Sequence, residues 1–282
     1  MPKQIEIPPS PLTGKTAAIT GGAGELCGAM ADALARAGAR VAVIDIDGAR
    51  ARAKADGIVK AGGRAIGIAA DVVSRPDMDQ AAGAIGSEFG GLDILINGAG
   101  GNNPGATTSE AQTFFDLPVD AVRKVFELNC LGTIVPCQAL GKLIVETVKR
   151  SGDFGHIINL SSMNALRPLT RIPAYSAAKA AVSNFTQWLA VHMAQNYTPK
   201  IRVNAIAPGF FLTNQNRFLL IDQDSGGFTA RGQTILAHTP AGELGRAEDL
   251  LSTLFWLLDP ASRFISGVVV PVDGAFSAFS GV

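Results

Sequence analysis

The chain has 282 residues, and its 24 Lys and Arg side chains balance 24 Asp and Glu side chains, so its formal charge at pH 7 is zero. This balance argues against a nucleic-acid-binding protein, because such proteins need a basic face to neutralise phosphates. No uncharged apolar stretch reaches the roughly 18 residues of a membrane span, and the first residues lack the apolar run of a signal peptide. We therefore expect a cytoplasmic protein that binds neither nucleic acid nor membrane.

The three cysteines, Cys27, Cys130 and Cys137, are odd in number and widely spaced along the chain. They have no histidines at metal-ligand spacing, so the sequence predicts neither a disulfide framework nor a metal site. We expect them to be buried thiols.

Short apolar runs of four to six residues alternate with stretches at helical spacing along the whole chain. Strands are predicted at residues 16–20, 41–44, 65–69, 93–96, 156–160, 202–206 and 268–270, and helices at residues 29–37, 49–61, 78–89, 119–149, 174–195 and 247–257. Parallel strands need crossover connections, which these helices would supply. We therefore predict an α/β fold, a single doubly wound Rossmann-type domain over residues 1–282, with seven parallel strands and helices on both faces.

The stretch from about residue 210 to residue 239 interrupts this alternation. It has no clear strand and is rich in Gln, Asn, Asp and Gly. It also follows the end of the sixth predicted strand, where open α/β sheets bind their ligands. We expect it to form a partly helical lid over a binding site.

The turn after the first predicted strand, residues 20–28, is rich in glycine and reads TGGAGELCG. Such a turn offers backbone N–H groups and the positive end of a helix dipole to a pyrophosphate, although glycine-rich turns also occur for packing reasons. Asp45 follows the second strand, where a carboxylate can accept hydrogen bonds from a ribose 2′-hydroxyl and repel a 2′-phosphate. Together the two features predict a dinucleotide site that favours NAD over NADP.

Tyr175 and Lys179 lie four residues apart on a predicted helix, and Ser162 follows the strand before that helix. Positions i and i+4 share a helix face, so the lysine ammonium can lie near the phenol. A neighbouring cation lowers the pKa of a phenol from about 10 toward neutrality, which makes tyrosine a usable acid or base. Such pairs also arise by chance in many helices. Ser162 adds a hydroxyl that can hold a substrate carbonyl.

Taken in order along the chain, these motifs resemble the short-chain dehydrogenase/reductase family from Leu12 onward. Further matches follow the third, fourth and sixth strands and lie in the long helix: Asp71-Val72, the stretch 97–100 (NGAG), Pro208-Gly209 with Thr213, and Asn129. The resemblance implies an oxidoreductase that acts on CH–OH groups, in which hydride passes between nicotinamide and substrate while the protein supplies position and a proton.

The resemblance also implies a role for each matching residue. Tyr175 exchanges a proton with the substrate oxygen, Ser162 positions that oxygen, and Lys179 holds the nicotinamide ribose while tuning Tyr175. Asn129, the fourth implied catalytic residue, fixes a water in a proton relay. Asp71 meets the adenine amino group and Thr213 the carboxamide. The full implied set of NAD-binding residues is Gly21, Ala23, Leu26, Asp45, Asp71, Val72, Asn97, Ala99, Tyr175, Lys179, Pro208, Gly209, Phe211 and Thr213.

The sequence departs from the family pattern at two places. The family's turn usually reads Thr-Gly-x-x-x-Gly-x-Gly, and an ungapped match puts Glu25 and Cys27 where its second and third glycines stand. A carboxylate there adds like-charge repulsion toward phosphates unless it points to solvent. A one-residue insertion would instead make Gly28 the last glycine. The second departure is Gly98, which replaces the usual second Asn after the fourth strand.

The segments that should face the substrate are unusually polar. An acyl-chain or steroid pocket is normally lined by apolar side chains, and arginine can grip a carboxylate through two parallel hydrogen bonds, so a hydroxylated, anionic substrate is expected. Each arginine could equally be a solvent-exposed loop charge or part of a subunit contact rather than a substrate-binding residue. The expected substrate-contacting residues are Asn102, Asn103, Ser162, Asn164, Arg167, Tyr175 and Arg217, with Arg171, Gln215 and Asn216 nearby.

Residues 161–168 and 210–217 resemble the D-mannonate oxidoreductase (fructuronate reductase) branch of the family. This resemblance implies interconversion of D-fructuronate and D-mannonate. Family members commonly form tetramers through their long helices and C-terminal tail, so a homotetramer is expected. Two alternatives stay open: another reductase, acting on 3-oxoacyl thioesters, polyols or sugars, and a catalytically idle NAD-binding sensor, for which Glu25 in the phosphate turn is the best argument.

Overall fold

The structure is a computed structural model that describes residues 12–214, 216–223 and 225–281, so the predicted lid residue Gln215 lies outside the described residues. Within these ranges a single sheet has all its strands parallel, in the order β3-β2-β1-β4-β5-β6-β7. The strands are β1 (Thr16–Thr20), β2 (Arg40–Asp45), β3 (Arg64–Ala69), β4 (Ile94–Asn97), β5 (Gly155–Leu160), β6 (Ile201–Pro208) and β7 (Val269–Val272).

Helices connect successive strands, and the predicted doubly wound fold is confirmed. They are α1 (Glu25–Arg36), α2 (Gly48–Lys60), α3 (Arg75–Phe89), α4 (Val119–Phe126), α5 (Gly132–Ser151), α6 (Pro173–Asn196), α7 (Arg217–Leu220), α8 (Ala230–Ala237) and α9 (Leu251–Leu258). The predicted helix 119–149 is interrupted by a π turn, Glu127–Leu131, that separates α4 from α5. The two short helices α7 and α8 lie within the predicted lid.

The sheet is covered on both faces because successive side chains of a strand point to opposite sides. Ile19 and Val43 pack in a core layer with residues of α1, α2 and α9. Ala18 and Ile44, one residue away in each strand, pack in the opposite layer with residues of α3, α5 and α6. All five residues of β1 are buried. This double coverage explains why the central strands read as continuous apolar runs rather than alternating ones.

The strand order reverses at β1, which pairs with β2 on one side and with β4 on the other. The connections from these strands leave toward opposite faces of the sheet, so a crevice opens between the carboxyl ends of β1 and β4. Gly21 follows β1 and Gly98 follows β4. The fold therefore places the two glycine-containing motifs on either side of the crevice.

The continuous helical run Val119–Ser151 is long and apolar enough to cross a membrane by length and composition. Its inward face packs in the core, where Leu140, Ile144 and Val148 contact the sheet layer that also contains Ala18 and Leu95. This packing accounts for much of the apolar character of the run, as in the core helix of a doubly wound domain.

Arg202 is a buried charged residue of β6 whose side chain caps the C-terminus of α9. Its side chain is 1% exposed, and its guanidinium donates to Leu257 O at 2.6 Å and to Ile265 O at 3.2 Å. Carbonyl groups at a helix C-terminus lack intrahelical donors, so the guanidinium supplies what α9 needs there. His156 faces Arg202 across the β5–β6 pair. Burial and the nearby charges of Arg202 and Lys15 lower the pKa of His156 to about 3, so it stays neutral at ordinary pH.

We predict that Arg202→Met destabilises the protein by about 2–4 kcal/mol, because the buried carbonyls at the end of α9 lose their donor. Arg263→Met is a matched control, since Arg263 lies nearby and is exposed, and it should change stability by no more than about 0.5 kcal/mol. Urea unfolding followed by circular dichroism measures both values. Equal stabilities for the two variants would show that Arg202 does not hold the end of α9.

Candidate active site

A cleft of about 800 Å³ opens at the carboxyl ends of the strands, at the point where the strand order reverses. Loops that follow β1 through β6 all contribute to its wall. The sequence-predicted residues that line it are Gly21, Leu26, Asp45, Asp71, Val72, Ala99, Ser162, Tyr175, Lys179, Pro208, Gly209, Phe211 and Thr213. One continuous cleft thus brings together most of the predicted dinucleotide and catalytic residues.

The glycine turn after β1 has the backbone that a bound phosphate needs. Gly21 has a φ of +63°, and a Cβ there would lie 2.9 Å from Ala99 Cα, so only glycine fits. Gly24 precedes α1, and no side chain caps that helix. The first backbone N–H groups of α1 are therefore available to an anion, together with the positive end of the helix dipole. The turn fits a pyrophosphate.

Asp45 braces the same turn from the end of β2. Its Oδ2 accepts the backbone N–H of Ala23 at 3.2 Å, and its Oδ1 accepts the N–H of Asp47 at 3.1 Å. The Arg50 guanidinium donates to Ala23 O at 2.9 Å. Ala23 is thus fixed through its backbone behind the wall of the cleft. Each carboxylate oxygen of Asp45 keeps a second lone pair for a ribose hydroxyl.

Glu25 and Cys27 both lie in the first turn of α1. The Glu25 carboxylate accepts hydrogen bonds from Asn214, at the start of the lid. Cys27 fills space next to Gly98, where an added Cβ would lie 2.1 Å from the Cys27 Sγ. Cys27, which replaces the family's third glycine, therefore packs against Gly98, which replaces the family's second Asn. Burial raises the pKa of the Cys27 thiol to about 12, so it stays neutral.

Ser162, Tyr175 and Lys179 come together where β5 ends beside α6. The Lys179 ammonium donates to Leu160 O at 2.7 Å and lies 5.7 Å from the centre of the Tyr175 ring. The Tyr175 phenol faces the Ser162 side chain closely enough for the two groups to interact. Pro173 in the first turn of α6 and the buried Ala174 and Ala178 fix the helix face that carries the pair. The constellation predicted from the spacing of these residues is therefore formed.

Burial controls the protonation of this group. It raises the pKa of Tyr175 above its ordinary value, and the hydrogen bond with Ser162 only partly opposes this effect. The expectation that Lys179 lowers the tyrosine pKa toward neutrality is therefore wrong, because desolvation of the phenol dominates. Burial also lowers the pKa of Lys179 to about 8. At neutral pH the phenol keeps its proton and can donate it.

Asn129 lies in the π turn and is fully buried. Its Nδ2 donates to Gly101 O at 2.7 Å and to Val125 O at 2.8 Å, and its Oδ1 accepts the N–H of Gly101 at 3.1 Å. A Cβ at Gly100 would lie 2.7 Å from Asn129 Oδ1 and 3.1 Å from Lys179 Nζ. Asn129 therefore holds the loop after β4 close to the lysine; its role in fixing a water stays a prediction.

Asn97 lies beneath the cleft rather than in its wall. It ends β4, and its Nδ2 donates to Asn159 Oδ1 at 2.9 Å inside the buried sheet. Several wall residues do not appear in the sequence-predicted set: Ile46, Arg50, Ala70, Leu128, Leu160, Ser161, Phe210 and Asn214. Ile46, Ala70 and Ser161 each directly follow a parallel strand, so the rule that ligands meet strand ends could have identified them.

The predicted substrate-binding asparagines lie outside the wall of this cleft. Asn102 donates to Thr107 Oγ1 at 2.9 Å, and Asn103 caps the short turn 104–106 through a 2.9 Å bond from the N–H of Gly105. Asn164 is buried beside Ser162 and donates its N–H to Ser162 Oγ at 3.2 Å. Among the described residues its Oδ1 has no hydrogen-bond partner.

The predicted substrate-binding arginines are exposed and also lie outside the wall. Arg167 donates to Ser277 O at 3.2 Å, which joins the loop after β5 to the C-terminal tail. Arg217 begins α7 in the lid. The backbone carbonyl of Arg171 accepts the N–H of Thr108 at 2.9 Å. The structure therefore groups the predicted catalytic residues Ser162, Tyr175 and Lys179 and leaves the two candidate carboxylate-binding arginines outside the wall of the cleft.

The comparisons with known proteins agree with this geometry. A family model described as enoyl-(acyl carrier protein) reductase matches residues 22–277. The uncharacterized oxidoreductase UxuB of Bacillus subtilis is 49% identical over 280 residues, with 96% of this chain and 98% of that protein covered.

Several similar solved structures contain a dinucleotide, among them the following two. A Haemophilus influenzae protein with bound NAD, provisionally named as a D-mannonate oxidoreductase, is 45% identical, with a TM-score of 0.89 over 97% of this chain and 98% of that one. A 7α-hydroxysteroid dehydrogenase complexed with NADH is 30% identical, with a TM-score of 0.79 over 93% of this chain and 94% of that one.

We predict that Gly98→Asn weakens NADH binding and destabilises the protein by about 1–3 kcal/mol, because the new side chain meets the Cys27 thiol. Cys27→Gly removes that obstacle, so the double variant should recover most of the loss. A double-mutant cycle on the free energy of unfolding and on NADH fluorescence titrations measures the coupling, expected to be about 0.5–3 kcal/mol. Additive effects would show that the two departures from the family pattern are independent.

Proposed function

The chain belongs to the short-chain dehydrogenase/reductase family. On that premise we propose that it interconverts a keto sugar acid and the corresponding hydroxy sugar acid, namely D-fructuronate and D-mannonate. It is an NAD-dependent oxidoreductase that acts on alcohol groups. The observation that carries the catalytic part of the proposal is the contact of Tyr175 with Ser162, beside the buried Lys179, in the wall of the dinucleotide cleft.

NAD, when bound, supplies the carbon that accepts or donates hydride. The glycine turn would hold its pyrophosphate, Asp45 a ribose, Asp71 and Val72 the adenine end, and the segment from Pro208 to Thr213 the nicotinamide end. Asp45 also disfavours a 2′-phosphate by charge, which makes NADP the less suitable dinucleotide. All of these residues line one cleft.

The protein's own residues hold and move the proton. Tyr175 keeps its phenolic proton at neutral pH because burial raises its pKa, so it can donate that proton to the oxygen of a carbonyl substrate as the carbonyl is reduced. Ser162, which faces Tyr175, would position the same oxygen. Lys179, anchored to Leu160 O, presents a positive charge beside the phenol and the ribose. Asn129 positions the loop that closes this side of the cleft.

The sugar-acid substrate is supported by the relatives and by the polarity of the substrate end. The similar Haemophilus influenzae structure bears the provisional name D-mannonate oxidoreductase. The wall of the cleft that holds Ser162 and Tyr175 also includes Asn214 and Asn216 from the proposed lid. Asn164, buried beside Ser162, would meet a substrate hydroxyl. Asn102, Asn103, Arg167 and Arg217 lie outside the wall of the cleft and would contact the hydroxyls and carboxylate of the substrate once the loops that carry them move toward it. The idle-sensor alternative loses its main support, because Glu25 contacts Asn214.

We further propose a cytoplasmic homotetramer, with a substrate lid over residues 210–239. Large apolar side chains lie exposed on α6, where Trp188 stacks on His192 with a centroid distance of 4.7 Å. Val191 is exposed on the same helix, and Phe264 near β7 is 94% exposed. Exposed aromatic groups of this kind are typical of subunit interfaces.

We predict that the purified protein reduces D-fructuronate with NADH and that Tyr175→Phe lowers kcat by at least about a hundredfold while NADH affinity changes little, because only the proton donor is lost. Spectrophotometric turnover with a panel of D-fructuronate, acetoacetyl thioester, neutral ketoses and a 7-oxo steroid, each with NADH and NADPH, makes the test. Turnover of the thioester alone would select the acyl alternative. NADH binding with no turnover of any carbonyl would select the sensor.

We predict that Arg167→Ala raises KM for an acidic sugar about tenfold or more but leaves KM for a neutral ketone nearly unchanged, because a carboxylate partner is lost. Arg171→Ala is the matched control, since Arg171 is exposed on the same loop. Equal effects on both substrates would instead assign Arg167 to its contact with the C-terminal tail.

A further inference from the structure

A two-point contact joins the phosphate turn to the lid. Glu25 Oε2 accepts the backbone N–H of Asn214 at 2.6 Å, and Glu25 Oε1 accepts Asn214 Nδ2 at 2.6 Å. The two residues are 189 positions apart in sequence, and both line the dinucleotide cleft. One carboxylate at the N-terminus of α1 therefore fixes both the backbone and the side chain of a single lid residue.

Asn214 belongs to a turn that we call the lid turn, made up of the described residues 211–214, 216 and 217. Asn216 closes it from inside: its Oδ1 accepts the N–H of Thr213 at 2.9 Å, and its Nδ2 donates to Phe211 O at 2.7 Å. The N–H of Arg217 donates to Thr213 O at 2.9 Å. Because these hydrogen bonds link the residues of the turn to one another, a displacement of Asn214 also displaces Thr213.

The other side of the lid turn is attached to the body of the protein. The N–H of Leu212 donates to Gly245 O at 3.1 Å, and the N–H of Gly245 donates to Phe210 O at 2.9 Å. Phe211 is buried and packs in the core layer with residues of α1 and α9. The lid turn is thus fixed at its base near Gly245 and held at its tip by Glu25.

The hydrogen bonds from Asn214 also orient the negative charge of the Glu25 carboxylate. A carboxylate at the N-terminus of α1 lies where a pyrophosphate would meet the helix dipole, so two anions compete for one positive end. The two donors of Asn214 engage both oxygens of the carboxylate and direct it toward the lid. Glu25 is exposed, so its main effect should be on the position of the lid turn rather than on global stability.

We propose that Glu25 is a positioning residue that clasps the lid turn across the mouth of the cleft and thereby slows the release of NAD(H). Opening the cleft breaks the bonds from Glu25 to Asn214 and frees the segment that carries Thr213. The proposal rests on the NAD dependence of the enzyme and is independent of the identity of its sugar-acid substrate.

The test reverses the polarity of the clasp. Asn214→Asp replaces a donor by a second carboxylate opposite Glu25, so the pair repels and the lid turn detaches. Glu25→Gln combined with Asn214→Asp restores a donor and an acceptor: the new amide donates to the new carboxylate and accepts the N–H of residue 214. Gln80→Glu, the same amide-to-carboxylate change on the exposed surface of α3 and outside the lid, is the matched control.

NADH dissociation from each variant is followed by stopped-flow fluorescence, and hydrogen exchange of residues 211–217 is measured in the protein without dinucleotide. Asn214→Asp should release NADH about tenfold faster, equivalent to about 1.4 kcal/mol, and should accelerate exchange in the lid turn. The double variant should recover most of both effects, and Gln80→Glu should change neither. Melting temperatures verify that each variant is folded.

Equal dissociation rates and equal exchange in wild type and Asn214→Asp would overturn the clasp, as would a double variant no slower than Asn214→Asp alone. A wild-type protein that does not bind NADH would overturn the dinucleotide assignment itself. A wild type that binds NADH but does not turn over D-fructuronate would leave the clasp test intact and reject only the proposed substrate. The failures of the two proposals are therefore distinguishable.

Discussion

β1 is hydrogen-bonded to β2 on one side and to β4 on the other, and this pairing determines where every functional loop lies. Because all strands of the sheet run in parallel, the loops that follow their carboxyl ends meet at one edge. The close approach of the loops after β1 and β4 requires glycine at Gly21, where a side chain would meet Ala99. A short backbone-to-backbone contact in the crevice is thus what the cofactor site depends on.

Burial, rather than pairing with an opposite charge, sets the direction of the pKa shifts of Tyr175 and Lys179. Lys179 is held against the end of β5 by its bond to Leu160 O, and its pKa is lowered to about 8 because it is desolvated. Tyr175 has a raised pKa for the same reason. Both shifts favour the neutral form of each group, so the resting site stores its proton on the phenol. At neutral pH the phenol is therefore protonated, as the proposed proton donor to a carbonyl must be.

The departures from the family pattern are each matched by a contact elsewhere in the fold. Cys27 occupies the space that Gly98 leaves empty, and Glu25 meets Asn214 from the lid. In each case the departing residue in the phosphate turn contacts a residue far away in sequence. Such compensation keeps the turn able to accept a dinucleotide while altering how the lid is held. It also gives a physical reason why a non-glycine turn need not mean a lost activity.

The sequence by itself determined the strands and their parallel arrangement, because these depend on local periodicity, and the i, i+4 spacing of Tyr175 and Lys179 together with the family resemblance predicted the proposed catalytic group. It could not determine the sign of the Tyr175 pKa shift, since desolvation depends on all the groups that surround the phenol. Nor could it place Arg167, whose partner Ser277 lies 110 positions away. Tertiary structure alone decided these points, and it alone revealed the bond between Glu25 and Asn214, because contacts between distant segments have no period in the sequence.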